Sequence, residues 1–417
     1  MKPARIAVIG AGVAGVACAA ALAAVGLAVT LFDKSRGPGG RMSTRRGTFT
    51  PIQGDGLDMA FDHGAQFFTA RDPAFARVVQ QGLREGWVAP WAPREVDAVS
   101  LDAHALEPRC VAVPGMPELA RRLIGPGVQT CWSWPVAELQ REPGSSPQRS
   151  TWRLRRSDGD QGWHPEAFDH VVLAMPPEQA AALLAAHRPD WSAQARATPM
   201  WPCWTLMALT EAQPCALPDH PAWPFDASRP SRHNASHPLG WLARNDSKPG
   251  RPRLPGLDAW VAQATPAWSQ QHLECTPEQV VPMLLQALFE VIGQQPTVVH
   301  SAVHRWRFAQ PARTPGQEAT PTEPWWDASL HLGVCGDFLG GGGRVESAWL
   351  SGHRLAQSML LCTNSERGTG LTPTTSPETR TELQTFAVLN TPRRAAPSRK
   401  AATASPQHWK AQPPKPM

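Results

Sequence analysis

The strongest constraint on this chain lies in residues 4–46, ARIAVIGAGVAGVACAAALAAVGLAVTLFDKSRGPGGRMSTRR. Residues 6–9 form a short apolar run that breaks at Gly10, and Gly10, Ala11, Gly12, Val13, Ala14 and Gly15 then open a helix of small residues. Gly10 permits a tight turn, Gly12 lets the backbone approach a pyrophosphate, and Gly15 lets the helix lie close on the strand. The helix is expected to end near Gly26. A second strand follows over residues 27–32, with Asp33 at its carboxyl end, where a carboxylate can accept hydrogen bonds from both hydroxyls of an adenosine ribose. Strand, glycine turn, helix, strand and acid in this order specify a βαβ unit that binds a dinucleotide, with phosphates at the helix N-terminus.

The same run carries no charge from residue 6 to residue 32, long enough to span a bilayer, with Lys2 and Arg5 ahead of it. Glycines at fingerprint spacing and an alanine-rich centre argue against a signal peptide or anchor. A chain of 417 residues with 42% hydrophobic content has room for two domains and a substantial core. Its eight cysteines make no CxxC and no His/Cys metal spacing, so structural zinc and a redox disulfide are not expected. Reduced thiols in a cytoplasmic protein are the expected state. There are 18 tryptophans and no tyrosine, so aromatic walls must be Trp or Phe and no phenol is available for proton transfer. Residues 363–417 carry eight Lys or Arg against three Glu, a net +5 that equals the formal charge of the whole chain. This tail reads as a disordered, solvating extension, apart from a short helix at 381–389, and nucleic acid is not an expected partner.

The segment after Asp33, Lys34 to Met42, resembles the GGR segment of flavoproteins of the amine oxidase superfamily. There, glycines and an arginine close over the FAD diphosphate. The resemblance assigns Lys34, Gly40, Arg41 and Met42 to the cofactor, and a guanidinium suits the task because it holds phosphate oxygens bidentately. Asp62, His63, Gly64, Ala65, Gln66 and Phe67 then match the D-x-G-A-Q-[FY] segment of the renalase-like branch, which passes near the flavin ring. This implies flavin contacts from Ala65, Gln66 and Phe67. Val136 stands where the superfamily places a backbone contact to adenine.

Asp72 and Pro73 should cap and start a helix to about Glu85. Residues 114–123 are expected to hold a helix, residues 128–154 strands around a polar hairpin, and residues 170–173 a buried parallel strand stopped by Pro176. A strand over 201–209, a helix over 276–292 and a strand over 299–308 should follow. Asn245 and Lys248 resemble the N-x-x-K segment of renalase-like proteins, and Trp306 with Arg307 resembles the element that leads that family back to FAD. Lysine suits a flavin site because its ammonium can hold a developing negative charge and its pKa moves readily on desolvation. Asn245, Lys248 and Trp306 are therefore the candidate catalytic residues.

Near the end, a strand closing on Gly336 and Asp337 would place a carboxylate beside the ribityl and diphosphate chain. After the glycine run 340–343, Arg344 and Val345 open a helix whose positive end would face the ring. The whole pattern, residues 4–362, is similar to bacterial renalase-like flavin oxidoreductases. It implies an α/β fold with a Rossmann-like FAD-binding domain of glutathione reductase type (1–72, 114–187, 325–362), an interleaved α+β substrate domain (73–113, 190–318) and the disordered tail. It implies FAD held without a covalent link and hydride removal from a small molecule, dihydro-NAD(P) isomers in renalases. Reoxidation by molecular oxygen would give hydrogen peroxide. Two alternatives stay open: a flavin amine oxidase, and a protein with structural flavin whose basic tail binds a partner. No metal and no membrane are expected in any of them.

Overall fold

A computed structural model describes residues 3–49, 56–95, 107–143, 150–157, 162–212, 225–312 and 322–366. The tail from residue 367, with the helix expected at 381–389, lies outside the described residues.

The fold is mixed α/β. Six strands form one sheet in the spatial order Trp325–Asp327, Leu332–Val334, His170–Leu173, Arg5–Ile9, Ala28–Phe32, Val128–Cys131. All neighbours are parallel except the edge pair Trp325–Asp327 and Leu332–Val334. The expected βαβ unit is present, with its helix at Val13–Ala23. A Cβ on Gly15 would stand 1.9 Å from the Gly10 carbonyl oxygen, so only glycine lets the helix lie this close to the turn. On the helix face of the sheet, Val13–Ala23 packs against the final helix Val345–Glu366, which runs past the expected boundary at 362. A Cβ on Gly352 would meet the Ala14 carbonyl oxygen at 1.9 Å, so this crossing also depends on a missing side chain. The other face is covered by the hairpin Val136–Glu142/Thr151–Arg156 and the helix Pro177–Leu184, through buried Leu139, Trp152, Leu154 and Leu184.

A second sheet runs Ala227–Ser228, Leu239–Arg244, Leu257–Ala264, Met200–Glu211, Val298–Pro311 in spatial order, and is antiparallel throughout. Its central strand, Leu257–Ala264, is nearly buried on both faces and so shows no polar alternation by which sequence reading could find it. The helix Pro277–Ile292 lays Val280, Leu284, Ala287 and Leu288 on this sheet. It starts at a Thr276/Gln279 capping box and stops at Gly293, whose φ of +74° is left-handed. The helix Pro73–Glu85 begins as expected, with the Asp72 carboxylate accepting from the Ala74 N–H at 2.7 Å. The helix expected from Pro114 forms only over Glu118–Leu123.

Candidate active site

The carboxyl ends of the parallel strands and the face of the second sheet enclose one cavity of about 1420 Å³. That exceeds the roughly 300–1,000 Å³ of a small-ligand pocket, so it has room for a dinucleotide and a substrate together. At one end it is lined by Gly10, Gly12, Val13, Ala14, Asp33, Lys34 and Val136. The Asp33 carboxylate accepts from the Ala11 N–H at 2.6 Å and the Ser35 N–H at 2.7 Å, which fixes it at the mouth of the turn. A row of glycines leads inward. A Cβ on Gly40 would lie 3.3 Å from the Gly12 Cα, and one on Gly64 would lie 1.9 Å from the Arg41 carbonyl oxygen.

Gly12 differs from these, because a Cβ there would meet no protein atom within 4 Å. Nothing in the protein's own packing demands glycine at that position, whereas a phosphate seated over the uncapped N-terminus of the Val13–Ala23 helix would. The residues therefore fit a dinucleotide cofactor: a helix N-terminus for the pyrophosphate, a carboxylate for the ribose, and a long cavity beyond.

Arg41, Met42, Ala65, Trp306, Gly336, Asp337, Arg344 and Val345 also line the cavity. Arg41 does not present an unpaired fork. Its guanidinium is bidentate on Asp337 at 2.6 and 2.8 Å and also donates to the Ala309 carbonyl at 3.1 Å, so the two residues expected beside the diphosphate chain hold each other.

Gln66, Phe67, Asn245 and Lys248, expected at the site, do not line the cavity. Gln66 is buried, with its amide donating to the Asp62 and Gly64 carbonyls, and it offers nothing to the cavity. Phe67 turns away to pack against Trp91 and Trp241, with the Arg109 guanidinium 4.7 Å from its ring centre. Lys248 and Asn245 are buried behind the wall. A short turn at Asn245–Ser247 directs the Lys248 stem inward, because the buried Asp62 carboxylate is there to receive it. The ammonium donates to Asp62 Oδ2 at 3.2 Å, Gln66 Oε1 at 3.0 Å and Asn245 Oδ1 at 3.4 Å. Asn245 Oδ1 also accepts from the Asp62 N–H at 3.2 Å. Arg251 completes the cluster, with Nε and a terminal nitrogen on Asp62 Oδ2 at 3.0 and 2.7 Å. Burial pushes the Asp62 carboxyl up, but Lys248, Arg251 and the Thr44 hydroxyl overcome it and hold its pKa below the usual value. Burial pulls the Lys248 ammonium down, Asp62 partly restores it, and its pKa comes to about 8.

Sequence reading did not single out several residues that shape the cavity. Trp134 lines the end of the cavity that holds Asp33, its ring 5.3 Å from that of Phe32. His63 stacks on Trp306 with ring centres 5.2 Å apart, and His304 stands edge-on to both. Burial and the adjacent His304 lower His63 to about 4, and burial with Arg45 lowers His304, so both are neutral imidazoles. Strand alternation pointed to His304, two residues before Trp306 and on the same face. Nothing local pointed to Trp134.

Fold and cavity together define a Rossmann-type nucleotide-binding fold with a second, antiparallel sheet over the cavity. Residues 8–81 match the NAD(P)-binding Rossmann-like domain, and residues 95–360 match the flavin containing amine oxidoreductase family. The chain belongs to that family and is a flavin-dependent oxidoreductase. Among solved structures, it is similar to a provisionally assigned protoporphyrinogen oxidase from Exiguobacterium sp. 255-15, with 14% identity and a TM-score of 0.61 over 87% of this chain and 99% of the other. Cyclohexylamine oxidase from Brevibacterium oxydans IH-35A gives 14% identity and a TM-score of 0.57 over 87% and 100%. A putrescine oxidase triple mutant gives 14% and 0.54 over 86% and 99%. At such identities the likeness is one of fold. Among the described residues no helix is long and apolar enough to cross a membrane.

Proposed function

We propose that this protein is a renalase-like oxidase: it binds FAD without a covalent link and removes a hydride from a small anionic molecule of the dihydronicotinamide dinucleotide class. The observation that carries this reading is the charge of the substrate half of the cavity. Arg229 lines it, Arg305 and Arg307 border it with their guanidinium groups turned to the strand face opposite His304 and Trp306, and the carboxylates among the described lining residues, Asp33 and Asp337, both lie in the cofactor half. Glu274 holds Arg307 at 2.7 and 2.8 Å and lies 3.6 Å from Arg305, so one carboxylate outside the wall offsets two guanidinium groups. The face of Trp241, a natural seat for an ammonium, already carries the Arg229 guanidinium at 4.9 Å. Such a wall attracts phosphate or carboxylate and repels an alkylammonium.

Within this reading, Gly12, Val13 and Ala14 would seat the pyrophosphate, and Asp33 with the walls at Trp134 and Val136 would hold the adenosine. Asp337 and Arg41 border the chain between, and His63, Gly64, Ala65 and Trp306 face the ring. When bound, FAD would supply a two-electron acceptor for the hydride, with molecular oxygen as the final electron acceptor and hydrogen peroxide as its product. The neutral His63 and His304 edges and the Trp306 face would orient the substrate, while Arg229 would hold its anionic end. Cys203, a cavity-lining thiol, is raised to about 11 by burial and donates to the Ala264 carbonyl at 3.6 Å, which makes it a poor nucleophile for covalent attachment. The seven free cysteines among the described residues support a cytoplasmic setting. The two sheets support the division into a cofactor domain (1–72, 114–187, 325–362) and a substrate domain (73–113, 190–318).

The test is anaerobic mixing of purified protein with dihydronicotinamide dinucleotide isomers and with a panel of amines, following flavin bleaching and then peroxide on admission of air. Bleaching by the dinucleotides alone is expected. Bleaching by amines alone would replace this reading with an amine oxidase, and bleaching by neither would leave the flavin a structural role.

A further inference from the structure

We propose that the buried Asp62, Lys248 and Arg251 cluster is a fixed positive charge behind the cavity wall that raises the electron affinity of the flavin. This rests on the reading above, in which the flavin ring lies against residues 63–65.

The argument begins with an imbalance. The side chains of Asp62, Lys248 and Arg251 have no solvent exposure, and two cations share one carboxylate. The remaining partners are neutral: the Thr44 hydroxyl donates to Asp62 Oδ1 at 2.7 Å, and Arg251 donates to the Ala112 and Pro249 carbonyls at 2.7 and 2.8 Å. Among the described residues, Lys248 reaches Gln66 and Asn245 beyond Asp62, with the Trp91 ring 5.3 Å away. The charged groups that act on the ammonium are Asp62 and Arg251, while Asp246 in the adjoining turn is directed to Arg244 at 3.5 Å. With Lys248 protonated, the cluster therefore carries one uncompensated positive charge in a region water does not screen.

Stability does not account for that excess. A single cation would satisfy Asp62, and an apolar side chain in place of the other would avoid the desolvation cost of an unpaired buried charge. The position of the charge does account for it. Lys248 donates to Gln66 at 3.0 Å, and the Gln66 amide donates to the Gly64 carbonyl at 3.1 Å, so two hydrogen bonds separate the ammonium from the backbone of the wall. Gln263 Nε2 pins the same carbonyl at 2.7 Å, and the Trp306 indole N–H pins the His63 carbonyl at 2.9 Å. His63, Gly64 and Ala65 line the cavity. A group that gains negative charge across this rigid wall is stabilised without reorganisation, and a flavin gains it on reduction. Lys248 acts here as a positioning and electrostatic residue that touches neither cofactor nor substrate. Its pKa near 8 keeps the charge present at neutral pH and removes it in mild alkali, while His63, the next titratable group along the wall, is already neutral throughout that range.

The test is the two-electron midpoint potential of the bound flavin, measured spectroelectrochemically between about pH 6 and pH 10 in wild type and Lys248→Met. At neutral pH the variant is expected to be harder to reduce by about tenfold or more in the two-electron equilibrium constant, about 30 mV. The difference should close as the pH rises through about 8, where the wild-type lysine loses its proton. Equal potentials at neutral pH overturn the inference, as does a difference that persists unchanged in alkali, since a purely structural disturbance would not titrate away. If Lys248→Met does not retain flavin, the wild-type curve decides alone: it must steepen above about pH 8 by the proton taken up with the electrons, and a curve without that change overturns the proposal. Wild-type protein that holds no flavin at all would remove the functional reading itself, and this inference with it.

Discussion

Replacing Asp62 with asparagine keeps the shape of the side chain and removes the one charge that two buried cations share. The structure sets the magnitude. Asp62 Oδ2 accepts from Lys248 at 3.2 Å and from Arg251 at 3.0 and 2.7 Å, all at zero exposure, so the variant leaves both cations facing an amide. Breaking a buried ion pair by removing one partner costs about 3–5 kcal/mol. Arg251 cannot shed its charge, whereas Lys248 can release its proton, so the loss should fall near the lower end, about 3 kcal/mol. At roughly 2 °C per kcal/mol for a chain of this size, the unfolding temperature drops by about 6 °C. The pH dependence supplies the sign. Folded wild-type protein gives up the Lys248 proton at about 8 and the unfolded chain near 10.5, so between those values the unfolded state binds more protons and stability rises with pH. That window is worth about 3 kcal/mol at about 1.4 kcal/mol per pKa unit. Without Asp62, which raises the lysine pKa, the same rise begins at lower pH, so the variant regains part of its deficit before wild type starts to gain. Thermal unfolding across neutral to alkaline pH should therefore show a gap that narrows toward about pH 8 and then stays constant. A loss below about 1 kcal/mol, or a gap indifferent to pH, would refute the picture of a dry, charged cluster.

Gly12→Val should abolish flavin retention yet change the unfolding temperature of the flavin-free protein little, because a Cβ there meets no protein atom within 4 Å. Gly352→Ala should do the converse: its Cβ would lie 1.9 Å from the Ala14 carbonyl oxygen, and overpacking of about 1–3 kcal/mol should appear as a lower unfolding temperature. Asp337→Ala should purify largely colourless, since it removes the carboxylate that holds Arg41 bidentately at the cavity; full flavin occupancy by absorbance would contradict this. Acid precipitation of wild type should release the flavin into the supernatant, and colour retained in the pellet would show a covalent bond.

Much of the fold was legible because its signals are local. Gly10, Gly12 and Gly15 act through backbone atoms a few residues apart. Asp72 caps a helix two positions away, and the Thr276/Gln279 box closes over three. These features fixed the turn, the first helix and the acid at Asp33 before any tertiary contact was known. Strand Leu257–Ala264 was not legible, because burial on both faces removes the alternation that marks a half-buried strand.

The site divides along the same line. Which residues border the cavity could largely be read from the glycine segments at 10–15, 39–41 and 336–343, since close backbone approach demands glycine wherever it occurs. What each side chain does there could not. Arg41 and Asp337 are 296 residues apart and neutralise each other, and Lys248 meets Asp62 across 186 residues. Sequence alone determined that a lysine follows the Leu239–Arg244 strand. Only the tertiary structure decided that its ammonium points away from the cavity and into a dry cluster with Arg251, because a side chain's partner is set by which distant segments pack against it.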